Sequence, residues 1–248
     1  MSDFNRGLAP AAVPADMTQD AGLRGFMLGV YNKVGLGLVL SAALAWLTGT
    51  YPPVQQLLFS HDAVTGRVNY TLLGIVVAFA PLAILMIQAF ARKSSPAIAA
   101  FVYWAIVSLI GASMGLLFIV YSDVSIFQTF LVTAAAFGGL SLVGYTTKRD
   151  LTAMGSFLIM GVFGLIFVMI ATYFFHSPAL VFVINLVGVG IFAGLIAYDT
   201  QRMKMTYYQL GGDEAAMSVA TSYGALSLYL DFINLFMFLL RLFGGGRR

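Results

Sequence analysis

Seven apolar runs, at residues 29–50, 70–90, 97–121, 124–145, 153–175, 179–198 and 220–243, leave this chain few folds to adopt. Each is close to or above the roughly 20 residues that carry a helix across a hydrocarbon core. None shows the period-two alternation of a barrel strand, and all are too long for one. Hydrophobic residues make up 60% of the chain and charged residues only 9%, against roughly 25% charged in soluble domains. The expected fold is an all-α integral membrane protein, a seven-transmembrane-helix bundle. After the polar segment at 51–69 the gaps are short, with residues 201–214 read as a polar loop before the last run, so residues 25–243 read as one membrane domain with no internal repeat. Residues 1–24 lack the apolar core of a signal peptide and read as a disordered tail. Residues 244–248 form a short basic tail. Cysteine is absent, which removes disulfides and thiolate chemistry.

Basic residues orient the bundle. With the amino terminus in the cytoplasm, one side receives Arg6, Arg24, Lys33, Arg92, Lys93, Lys148, Arg149, Arg202 and Lys204, while the opposite loops receive only Arg67. That asymmetry is the positive-inside signature. Arg241, Arg247 and Arg248 cut against it. Either the last run crosses despite them or it re-enters, and its length favours crossing. Gly111-x-x-x-Gly115 and Gly190-x-x-x-Gly194 read as helix-packing seams.

Within the last run, Asp231 has no other charge for five residues on either side. A carboxylate at the centre of a membrane helix costs roughly 3 kcal/mol unless it is paired, hydrated or protonated. Gly224, Ser227, Asp231 and Asn234 are spaced three, four and three apart, with Arg241 a further seven along, so they share one helix face. That stripe is expected to point into the bundle, since lipid would leave each group unsatisfied. Two readings follow: a protonated acid hydrogen-bonded to a neighbouring helix, or an ion or proton site, of which burial in a membrane favours the second. Asp199 ends the sixth run near the cytoplasmic boundary, and the next helix turns straight back with Asp231 on the order of 10 Å deep. The two carboxyls are expected to meet, share a proton and titrate as a coupled pair. Deprotonation would open the pair by repulsion, and a cation would stabilise the open form. Arg92, at the end of the second run, is a candidate counter-charge, although beside Lys93 it also reads as a positive-inside anchor.

Enzymatic chemistry finds little support. The only histidines, His61 and His176, fall in outer loops, and there is no HExxH or His-x-Glu pattern. A serine nucleophile would have no base beside it. No phosphate-cradling glycine loop and no nucleic-acid signature is present. The chain is therefore read as a non-enzyme without a cofactor or nucleic-acid partner. Hard oxygen ligands from Asp231, Asp199 and Asn234 suit Ca²⁺ better than a transition metal.

At these residues the chain resembles the Bax inhibitor-1 (transmembrane Bax-inhibitor-motif) family, bacterial branch. The resemblance rests on Ala197-Tyr198-Asp199-Thr200-Gln201 and on the stretch from Ala225 to Phe236 that holds Ser227, Asp231 and Asn234. Phe101-Val102-Tyr103 and Lys148-Arg149-Asp150-Leu151 fit as well, and the similarity runs from about Gly25 to Phe243. It implies a seven-helix fold with the last helix central, in a bacterial inner membrane. It also implies a pH-sensitive Ca²⁺ leak gated by Asp199 and Asp231, with Arg92 in the place of a latch to Asp199. Related bacterial members can carry an acid in the second helix, whereas residues 70–90 have none and contain Pro81. Some relatives instead modulate a membrane-anchored ATP-dependent protease, which implies a non-conducting interaction role as the alternative.

Overall fold

Asp20 opens the first helix by accepting from the amides of Gly22 and Leu23 at 2.9 and 3.0 Å. The computed structural model describes residues 20–61, 68–90, 94–172, 174–175 and 177–245. Helix α1 (Ala21–Thr50) thus starts eight residues before the apolar run at 29–50, and the last residues of the expected tail are helical. The rest of that tail, together with Arg67, Arg92, Lys93, His176 and residues 246–248, lies outside the described residues. After α1 come α2 (Pro52–Leu58), a small antiparallel pair β1 (Phe59–His61) and β2 (Val68–Tyr70), α3 (Leu72–Phe90) and α4 (Pro96–Ser113). The chain continues through α5 (Leu116–Val120), α6 (Asp123–Thr146), α7 (Thr152–Ala171), α8 (Pro178–Leu210) and α9 (Glu214–Phe243). The α4–α5 pair, broken at Met114 and Gly115, makes one span. Seven spans result among the described residues.

The last helix is central, as expected. It packs on α1, α4, α6 and α8, while α7 lies outside α8 and α3 lies outside α4. On α9, Tyr229 is fully buried and Phe232 nearly so. Tyr229 binds the Ser41 hydroxyl at 2.6 Å, and because Ser41 donates its own proton to the Val107 carbonyl, Tyr229 must be the donor. One polar chain therefore ties α9 to α1 and α4. The peripheral helices turn Phe79, Ile87, Phe157 and Phe167 outward, which suits lipid rather than water.

Close approach between helices follows the small residues. A Cβ on Gly111 would stand 2.6 Å from the Ser41 Cα, and one on Gly115 would strike Thr48 and Gly49, so this seam joins α4–α5 to α1. Gly194 seats Leu158 of α7, whereas space around Gly190 is open. Only half of the second seam is used.

Three helices, α1, α8 and α9, outrun the membrane, at 30, 33 and 30 residues. Residues 201–214, read from their polarity as a loop, instead extend α8 to Leu210. At 33 residues, α8 is about 50 Å long against a core of about 30 Å. Its last turns lie against the start of α1, where the rings of Phe26 and Tyr207 are 5.7 Å apart. The connection to α9 is short because Gly211, at φ 58, ends one helix in the left-handed region. Asp213 then caps the next by accepting from the Ala216 amide at 3.0 Å.

The far end of α9 settles crossing against re-entry. Gly245 donates to Ser125 Oγ at 3.0 Å and accepts from the Ser122 amide at 3.2 Å, beside the start of α6. The start of α1 lies at the other end, with the α8–α9 turn. The last helix crosses completely.

Candidate functional site

The motif around Asp199 is mostly scaffold. A Cβ on Gly144 would come within 2.2 Å of the Ala197 carbonyl oxygen, and one on Gly155 within 2.3 Å of the Tyr198 ring, so both residues are clasped by neighbouring helices. Gln201 holds the α6–α7 connection from both sides: its Oε1 accepts from the Leu151 amide at 2.8 Å and its Nε2 donates to the Arg149 carbonyl at 2.7 Å. Lys204, buried, donates to the Tyr145 carbonyl at 2.6 Å and sits over the Tyr145 ring at 5.3 Å. It places a cation on the carboxyl end of α6, where the helix dipole favours one. With α6, α7 and α8 fixed this way, the Asp199 side chain is aimed at α9.

There it meets Ser227, whose hydroxyl donates to Asp199 Oδ2. One turn deeper, Asp231 lines the same cavity as Asp199, and the two carboxyls act on each other electrostatically. Both acids are buried, at 5% and 6% exposure, and Asp231 Oδ2 has no hydrogen-bond partner among the described residues. A carboxyl–carboxyl hydrogen bond needs a proton between the two groups, because two carboxylates offer only acceptors. Of the expected stripe, Ser227 and Asp231 face Asp199, while Asn234 donates to the carbonyl of Leu230 on its own helix at 2.8 Å. Gly224 packs against the Met203 sulfur.

The counter-charge in the structure is Arg202, one turn beyond Asp199 on α8, with Nη1 3.5 Å from Oδ1. Its charge also acts on Asp231. Arg202 is 54% exposed, so the pair contributes roughly 0.5 kcal/mol or less and breaks readily. Reading residues 201–214 as a loop hid it; the i, i+3 spacing of Asp199 and Arg202 was the signal. Arg92, the expected counter-charge, lies outside the described residues. Beyond the spans, the Thr152 hydroxyl and amide hold the Asp150 carboxyl below its ordinary range.

Asp199, Arg202, Ser227, Asp231, Asn234 and Arg241 line one cavity of about 640 Å³ beside α7. Ser227 to Arg241 is fourteen residues on one helix, or about 21 Å, so the cavity follows most of the span. α7 contributes only apolar side chains to its wall. Two carboxyls, a hydroxyl and an amide fall short of the six to eight oxygens of a closed Ca²⁺ site. They offer a passing cation a partial shell.

The comparisons agree with this architecture. A protein of Caulobacter vibrioides is 61% identical over 251 residues and covers both chains completely. Protein RP147 of Rickettsia prowazekii is 39% identical over all of both chains. The Escherichia coli inner membrane protein YbhL is 39% identical over 228 residues, 92% of this chain and 94% of its own. The family model described as inhibitor of apoptosis-promoting Bax1 matches residues 23–248, and with these relatives at full length the chain belongs to the Bax inhibitor-1 family.

Proposed function

We propose that this protein is a cation leak of the Bax inhibitor-1 type, with Ca²⁺ as the passing ion and the Asp199–Asp231 pair as its gate. The observation that carries this reading is the pair of buried carboxyls, acting on each other, on the wall of a cavity that follows α9 from Ser227 to Arg241. While one proton lies between them, the two carboxyls hold α8 and α9 together. Its loss leaves like charges facing each other in a low-dielectric site, where repulsion pushes the helices apart. A cation then takes the place of the proton. α7 faces the pair with no titratable side chain. The direction follows: flux rises as pH rises.

The reading is of a non-enzymatic protein of a bacterial inner membrane, by similarity to YbhL, with the amino terminus cytoplasmic by the charge asymmetry. The test is reconstitution of the full chain into liposomes loaded with a Ca²⁺-sensitive dye. Ca²⁺ entry that grows from acid to alkaline buffer supports the leak. Entry no faster than into empty liposomes at every pH would overturn it and leave the alternative, a non-conducting partner of a membrane-anchored protease.

A further inference from the structure

A second cavity lies on another flank, between α1 and α6. α1 packs on α4 and α9, and α6 on α8 and α9. The two helices themselves are joined mainly at depth, where the rings of Tyr31 and Phe137 meet edge to face at 6.4 Å. Above that contact a cleft of about 500 Å³ remains, with Arg24 at its mouth and Tyr31, Phe137, Gly138, Ser141 and Tyr145 along its walls. This is the size and mixture of a small-ligand site: mostly apolar, with a few polar groups.

Two features specify the occupant. Arg24 is exposed and has no acidic partner among the described residues; Asp20, one turn earlier, is engaged in capping α1. From Arg24 to Tyr31 is seven residues, about 10 Å of helix, so the cation stands at the membrane surface and Phe137 well below it. A ligand with a negative head and an apolar tail matches both.

We propose that the cleft binds one anionic phospholipid from the leaflet beside the start of α1. Its phosphate lies on Arg24, and one acyl chain runs along Phe137 and Gly138. Gly138 supplies the discriminating variant. A Cβ there meets nothing within 4 Å, so Gly138→Leu starts into open space on the cleft wall.

The experiment is native mass spectrometry of the full protein from mixed micelles containing equal dioleoylphosphatidylglycerol and dioleoylphosphatidylcholine. The wild type should retain one phosphatidylglycerol with a preference of about fivefold over phosphatidylcholine. Gly138→Leu should lose the bound lipid, and Arg24→Gln should keep a lipid but bind both kinds equally. Equal retention of the two lipids by the wild type would overturn the proposal, as would unchanged retention by Gly138→Leu. A protein dimer that Gly138→Leu abolishes would also overturn it, by assigning the cleft to a second copy. If Gly138→Leu does not fold, the Arg24→Gln preference decides alone.

Discussion

The hydroxyl of Ser227 donates to Asp199 across the α8–α9 contact, one turn before Asp231 on the same helix face. This bond makes the two acids unequal: Asp199 has a donor on α9 and Arg202 at 3.5 Å, while Asp231 Oδ2 has no hydrogen-bond partner among the described residues. Ser227→Ala removes the donor without adding volume. A hydrogen bond to a charged group is worth about 1.5 kcal/mol and is only partly made while the pair shares a proton, so the pH at which Ca²⁺ flux half-develops should rise by up to about one unit. Liposome flux curves for the two proteins measure it.

Arg202 pairs with Asp199 from an exposed position. Arg202→Gln should move the same midpoint upward by less, about 0.4 unit, from a pair worth roughly 0.5 kcal/mol. Because exposed pairs are screened by salt, the difference between wild type and variant should shrink at high ionic strength. Flux curves at two salt concentrations check both points.

Lys204 acts on stability. Lys204→Met takes the cation from the Tyr145 carbonyl and ring, at a cost of roughly 2 kcal/mol. The thermal midpoint should fall by about 5 °C. The exposed Lys148, changed to Met, should leave it unchanged. Scanning fluorimetry of the purified variants compares them.

Much of the architecture was legible in advance because a hydrocarbon core imposes length and polarity together. All seven spans and the face shared by Ser227 and Asp231 follow from that constraint. The stretch from Gln201 to Leu210 was not legible, because its polar residues resemble a loop and its helix is held by packing against the start of α1. The stop signal stood in the chain all the same: no glycine or proline interrupts it before Gly211 and Gly212. Misplacing that stop concealed Arg202 as the partner of Asp199 and Lys204 as the cap of α6. Asn234 has the right spacing for the site, yet its amide bonds its own helix, a choice that periodicity does not reveal. The small strand pair at β1 and β2 was hidden because three residues per strand carry no pattern.

The most direct test of the gate is the pH dependence of Ca²⁺ flux through wild type, Asp199→Asn and Asp231→Asn, with Asp150→Asn as control. Thr152 depresses the Asp150 carboxyl. Any stability it lends is therefore present above its unfolded value and lost only as pH falls through the lower folded one, outside the neutral window. Wild type and Asp150→Asn should show the same rise of flux with pH, and both pair variants should lose that dependence. An Asp231→Asn protein whose flux follows pH as the wild type does would contradict the account.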